Sequence, residues 1–243
     1  MQVDAPADLL ATDRLFAQLP PPARSRLLSV GMRRVLDAGH RIVSRDQVHT
    51  GLYCLLQGTV DVMNPPHAGQ EFFLLSLDGP AWFGESGFFD GGRHSHEVCT
   101  RTLCQLLFFP RDPLLRVLDG DAALWQWLGK VLTAKLRLAF FTLDELSPMP
   151  IETRLARHLL LKAAAFGAST RCTRCIHVQQ EQLAQAMGLA RASITPVLRD
   201  WRRRALVEVR YGRITLLDIE ELKVIGAFAE WPRHYRELLA ALH

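Results

Sequence analysis

Residues 178–217 read VQQEQLAQAMGLARASITPVLRDWRRRALVEVRYGRITLL. The first part divides into two short helices around Met187-Gly188-Leu189, because glycine adopts the left-handed conformation that ends a helix at no steric cost. In the second helix Ile194, Val197, Leu198 and Trp201 recur at steps of three and four, so they share a face that should bury against Leu183, Ala184 and Met187 of the first. The other face carries Arg191, Thr195, Arg199 and Arg202 and suits a helix laid in a DNA major groove. Val207-Glu208-Val209 and Ile214-Thr215-Leu216 then flank Arg210-Tyr211-Gly212-Arg213 as strand, turn and strand. The pattern is that of a winged helix-turn-helix.

Charge is distributed accordingly. From residue 151 onward there are 15 Lys+Arg and 9 Asp+Glu, net +6, whereas residues 1–150 hold 14 and 16, net −2. The basic half is the one with the motif, as a partner with a phosphate backbone requires. The whole chain has 243 residues, 49% of them hydrophobic and 22% charged, enough for two globular domains. The acid-containing N-terminus MQVDAPADLLATDRLF does not read as a signal peptide, and no apolar run approaches the roughly eighteen residues of a membrane span. Five cysteines scattered through such a chain suit a reducing compartment, and the expected location is cytoplasmic with no membrane partner.

Outward from the motif, the texture changes three times. Residues 8–34 read as a helical lead-in, with Pro20-Pro21-Pro22 opening a short helix. From Val35 to Pro110 short β-prone runs (VLDAGHRIV, GLYCLLQGTVDVM, EFFLLSL, VCTRTLCQLLFF) alternate with turn residues, the cadence of an all-β barrel or sandwich of about eight strands. A helical run from Pro113 to Leu146 is apolar on more than one side, so one side should face the barrel and the other a partner. A series through Leu124, Val131 and Leu138 would suit the same helix of a second subunit. Ser147-Pro148-Met149-Pro150 breaks it. The expected class is α+β, divided into 1–112, a β-roll or jelly-roll domain with its lead-in; 113–146, a dimerisation helix; 147–150, a hinge; 151–218, the winged helix-turn-helix; and 219–243, a helical tail.

This order of parts resembles the Crp/Fnr superfamily of bacterial transcription regulators. Leu55-Leu56-Gln57-Gly58-Thr59-Val60 is similar to the family's ILxGxV strand, and Phe83-Gly84-Glu85-Ser86-Gly87-Phe88-Phe89-Asp90-Gly91-Gly92 to its phosphate-cassette loop. Gln180 to Ala184 and Gly188 to Ile194 match its DNA-module pattern. The resemblance implies a homodimeric regulator of double-stranded DNA that also contacts RNA polymerase, with a cyclic-nucleotide-binding type of barrel. The candidate effector-binding residues are Gly84, Glu85, Arg93, His94 and Ser95. Where the family has Arg-Ser after the glycines, this chain has Arg93-His94-Ser95-His96, so either a one-residue shift brings Arg93 in or His94 takes the phosphate position. A mostly neutral histidine lacks the arginine fork, which points to an effector other than cAMP, or to none.

On the DNA side Arg191 is the candidate base reader, through guanine O6 and N7. Gln180, Ser193, Thr195, Arg199, Arg202 and Arg203, with Arg213 on the wing, are the candidate phosphate contacts. Pro196 replaces the family's second base-reading arginine, and the helix is expected to start near Arg191 and to open locally at the proline. An iron–sulfur cluster is not expected, since residues 1–53 contain no cysteine. Haem ligation by a barrel histidine and a thiol switch at Cys172/Cys175 remain as alternatives, as does a regulator whose barrel senses nothing. No nucleophile–base pair or three-ligand metal spacing argues for an enzyme.

Overall fold

The computed structural model describes residues 9–10, 13–67, 70–144, 149–165, 174–233 and 236. A short helix α1 (Pro21–Ser29) leads into eight strands: β1 (Met32–Leu36), β2 (Arg41–Val43), β3 (Gly51–Gln57), β4 (Thr59–His67), β5 (Gln70–Asp78), β6 (Ala81–Phe83), β7 (Glu97–Thr100) and β8 (Cys104–Pro110). They form two antiparallel sheets, ordered β1-β8-β3-β6 and β2-β7-β4-β5. Side chains alternate across a strand, so β3 serves two cores at once. Tyr53 and Leu55 point between the sheets towards Val60, Leu77 and Phe83, while Leu52, Cys54 and Leu56 point outward to Trp82, Phe109 and the helices beyond. This double burial explains the unbroken apolar run GLYCLL.

Three expectations need correction. Residues 32–34 belong not to the helical lead-in but to β1, whose register pairs Met32 with Phe108 and Leu36 with Cys104. The helical run from Pro113 to Leu146 is two helices, α3 (Arg111–Asp119) and α4 (Ala122–Asp144), separated at Gly120. Asp121 accepts from the Ala123 N–H at 3.0 Å and so supplies a first-turn acceptor for α4. Leu146, Ser147 and Pro148 lie outside the described residues. The third correction concerns which face of α4 is free. Leu124 and Val131 are fully packed on Trp82 and Phe109, and Leu138 packs on the C-terminal half. The exposed stripe is instead Leu136, Phe140 and Leu143, at 51%, 56% and 59% exposure.

The C-terminal half contains α5 (Ile151–Ala165), β9 (Cys175–Ile176), α6 (Gln180–Ala186), α7 (Arg191–Arg203), β10 (Val207–Arg210), β11 (Arg213–Leu216) and α8 (Ile219–Ile225). Ile194, Val197, Leu198 and Trp201 of α7 bury against Leu183, Ala184 and Met187, as the periodicity requires. The expected hairpin is present, and β9 adds a third strand through Ile176 opposite Ile214. The tail packs on this same core: Leu222 and Trp231 are buried in it, and the Trp231 indole donates to the Gly226 carbonyl at 2.7 Å. Trp201 is 1% exposed at the centre. Trp201→Ala should cost about 3–5 kcal/mol through lost burial and a residual cavity, measurable by urea unfolding of the two proteins side by side. A loss under about 1 kcal/mol would contradict that packing.

Besides the packing of Leu138, polar groups join the two halves. Arg101 pairs with Asp61 at 2.7 Å, donates to Ser76 Oγ at 2.9 Å and reaches the His177 carbonyl at 3.4 Å. Lys162 Nζ donates to the Ser76 carbonyl at 3.2 Å, and Gln182 Nε2 to Asp61 at 3.5 Å.

Candidate functional site

The reading head is positioned by its turn. Helix α6 opens with a reciprocal cap between Gln179 and Gln182 and is followed, after its C-cap Met187, by Gly188, whose φ is +64°. The Leu189 N–H then closes on the Ala184 carbonyl at 2.8 Å, which fixes the angle at which α7 departs. Helix α7 starts at Arg191, as expected. Pro196 is its sixth residue, so the Ala192 carbonyl lacks the donor an ordinary residue would supply. One residue earlier, the Thr195 hydroxyl donates to the Arg191 carbonyl at 2.8 Å and contacts Gln180 Oε1 at 3.4 Å. Gln180 and Thr195 therefore join the two helices where they cross.

Arg191, Arg199 and Arg202 are exposed and make no ion pair among the described residues. Arg203 is also exposed but pairs with Asp200 at 2.9 Å, and Arg204 pairs with Glu221 at 2.8 Å. A surface pair of this kind is worth at most about 1 kcal/mol, so Arg203 stays available to a phosphate. Ser193 is half-buried in the first turn, and Arg213 is half-buried on the wing. The sequence reading did not single out Tyr211, which stands 95% exposed at the wing tip beside Gly212 with φ +67°. Its place in a strand–turn–strand pattern was the available signal.

The second candidate region is an open-mouthed cavity of about 530 Å³ bordered by the β-roll, α4, α5 and the end of α6. Gly84, Glu85, His94 and Ser95 line it. Arg93 does not: its guanidinium turns outward to the Asp46 carbonyl at 2.7 Å, and β-bridge geometry with Val48 holds it there. Of the two residues, it is His94 that lines the cavity. Burial, then the neighbouring His49, holds the His94 imidazole below its ordinary pKa, so it is neutral at pH 7. Burial, then Arg45, does the same to His96.

The loop before it is tightly built. Gly84 has φ +90°, and a Cβ there would come within 2.8 Å of the Gly51 carbonyl oxygen. A Cβ on Gly87 would strike the His49 ring at 2.4 Å. His49 is buried beneath the loop with one ring nitrogen on the Gly84 carbonyl and the other 3.2 Å from the Arg111 guanidinium, which makes it a structural prop. Glu85 is 5% exposed and forms a 2.7 Å ion pair with Lys135 of α4. Fifty residues separate these partners in sequence, and nothing local to either announces the pairing.

Lys162 of α5 is the second buried charge at the cavity wall. Burial, partly offset by Asp78, lowers its pKa to about 8, so it remains mostly protonated at pH 7. His158, one turn earlier, is pushed to about 3 by burial and then by Lys162 and Arg154, and is neutral. Among the described residues no three His, Cys, Asp or Glu groups converge to hold a metal. Cys54, Cys99 and Cys104 are free thiols, Cys175 on β9 is disulfide-bonded, and Cys172 lies outside the described residues. No described helix is long and apolar enough to cross a membrane.

Comparison with known proteins completes the assignment. The family model for the cyclic nucleotide-binding domain matches residues 33–121, and that for the Crp-like helix-turn-helix domain matches residues 153–225. The chain belongs to the Crp/Fnr family. It is a transcription regulator with a cyclic-nucleotide-binding type of β domain at its N-terminal side and a helix-turn-helix at its C-terminal side. Among Crp/Fnr relatives, a CRP-like cAMP-activated global transcriptional regulator of Mycobacterium tuberculosis is 26% identical over 88% of this chain and 97% of its own length. The transcriptional regulator LdrP of Thermus thermophilus is 29% identical over 71% of this chain and 85% of its own. The solved structure of FixK2 from Bradyrhizobium japonicum, at 16% identity, shares the fold with a TM-score of 0.69 over 81% of this chain and 97% of that one.

Proposed function

We propose that this Crp/Fnr regulator acts as a homodimer on a roughly two-fold symmetric DNA operator, with half-sites about one helical turn apart, and that its β-roll senses an effector that re-aims the two reading heads. The observation that carries the DNA assignment is the face of α7: Arg191, Arg199 and Arg202 stand exposed and without ion pairs among the described residues, over a fully buried apolar face. Arg191 reads a base. Gln180, Ser193, Thr195, Arg199, Arg202, Arg203 and Arg213 hold phosphates. The dimer is supported by the exposed stripe Leu136, Phe140 and Leu143 on α4, an apolar seam at spacings of four and three.

The domain division we propose keeps residues 1–112 and 151–218 as sensor and DNA modules, with α4 as the joining element. A role as regulator rather than enzyme accords with the curated relatives, which are transcription regulators. The M. tuberculosis relative is described as cAMP-activated. Here the cavity offers a cyclic phosphate a neutral His94 in place of an arginine, and the carboxylate that would accept from a ribose hydroxyl is engaged by Lys135. We therefore assign the effector to another chemical class.

The test is selection of genomic fragments by the purified full-length protein, followed by titration of selected and scrambled duplexes with wild type and Arg191→Ala. Loss of a bidentate guanine contact should remove about 1–3 kcal/mol of discrimination per half-site. Equal weakening on every sequence would remove Arg191 from base reading.

A further inference from the structure

The cavity has a wall that sensing by the roll alone does not require. Besides the roll and α4, it is bounded by His158, Leu161 and Lys162 of α5 and by Ala186 at the end of α6, all in the half that carries the reading head. A molecule filling it would touch both halves at once. Its size falls within the roughly 300–1,000 Å³ of small-molecule sites.

The chemistry of the lining is uneven. Leu74, Leu75, Phe83, Leu138 and Leu161 make most of it carbon, so the body of a ligand must be apolar. Charge is confined to two places. At one, Glu85 and Lys135 neutralise each other across 2.7 Å. At the other, the Lys162 ammonium is 9% exposed and has three N–H donors, one of which goes to the Ser76 carbonyl at 3.2 Å. A desolvated cation with donor capacity to spare, at the end of an apolar cavity, is complementary to a carboxylate on an apolar body. His94 and His158 add no positive charge that would call for a second anion.

We infer that this cavity binds a small amphipathic carboxylic acid, with its hydrocarbon body against Leu74, Leu75, Leu138 and Leu161 and its carboxylate on Lys162 Nζ. The inference rests on the effector-sensing role proposed above and names the ligand class. A carboxylate on the remaining donors of Lys162 shares the ammonium that ties α5 to the Ser76 carbonyl, so occupancy acts on the junction between roll and reading head.

The experiment uses the full-length protein with decanoate, 4-phenylbutyrate, decanamide and cAMP, read by calorimetric titration and by the shift of the thermal transition. At least one acid should bind with one site per chain and raise Tm. Decanamide should bind at least tenfold more weakly than decanoate, and cAMP more weakly still. Lys162→Met should weaken acid binding at least tenfold while changing decanamide binding less than threefold. Leu74→Trp, at a partly exposed lining position, should weaken acid and amide alike, and it carries the test should Lys162→Met not fold.

The inference is overturned if neither acid binds, if cAMP binds more tightly than both, or if acid affinity survives in every folded variant. DNA binding is measured on the same preparation. Selective DNA binding without acid binding sinks the ligand class alone, whereas absence of selective DNA binding with and without acids sinks the regulator assignment beneath it.

Discussion

Leu136→Asp with Phe140→Asp is expected to yield a monomer and to lower operator affinity by roughly 10²–10⁴-fold. Both side chains are more than half exposed on α4, in a stripe continued by Leu143, so neither substitution removes a contact from the protomer's own core. In a dimer each aspartate would sit in a desolvated seam against its own copy, where like charges repel and their solvation is lost. Joined heads make the second half-site contact intramolecular, and that advantage is typically 10²–10⁴. Sedimentation equilibrium of wild type and variant, with anisotropy titration of a selected duplex, reads both quantities. A variant that stays dimeric, or a monomer that binds as tightly as wild type, would remove α4 from this role. Retained cooperative unfolding separates loss of pairing from loss of folding.

Arg199→Ala with Arg202→Ala should change the salt dependence of binding as strongly as the affinity. Both guanidiniums are exposed on the free face of α7. If each neutralises one phosphate, a dimer loses four contacts, and the slope of log K against log salt should become less negative by about 3 to 4, at roughly 0.9 per phosphate. At about 0.1 M salt the same relation gives a loss of around 10³-fold. The loss should be nearly equal on selected and scrambled duplexes, because phosphate contacts carry no base information. This is the opposite signature to that of Arg191→Ala. An unchanged slope would place those two arginines away from the backbone.

The reading head was legible because its signals are local. Ile194, Val197, Leu198 and Trp201 share a period that only a helix satisfies, Gly188 marks the turn, and Tyr211-Gly212 marks the hairpin tip. The β-roll was legible as a cadence, with GLYCLL announcing a strand buried on both faces. The phase of α4 was not. A helix apolar all round has the right period at every phase, and only contact with Trp82 and Phe109 decides that Leu124 and Val131 turn inward while Leu136 and Phe140 are left out.

The cavity was legible only in part. The glycines and Glu85 are in the cassette motif, and the choice between Arg93 and His94 turned on strand register, which a single residue of slip reverses. Lys135 and Lys162 reach the site from helices 50 and 77 residues beyond Glu85, where they read as ordinary helical lysines.

The clasp that Arg101, Asp61 and Ser76 form with His177, Lys162 and Gln182 sets how readily the reading head can let go of the roll. Every group in the clasp itself is one that water accommodates well, so breaking these contacts leaves each polar atom able to rehydrate, and the carbon surface that parting exposes is that of Leu138 and the cavity wall beside it. Release of the clasp should therefore respond to ionic strength, as contacts between weakly associated proteins do. An occupant of the crevice needs a preference of only about 5.5 kcal/mol between docked and released arrangements to carry the population from one percent to ninety-nine. Molecules built this way switch by loosening a wet joint, and their sensitivity is tuned at the joint as much as at the ligand.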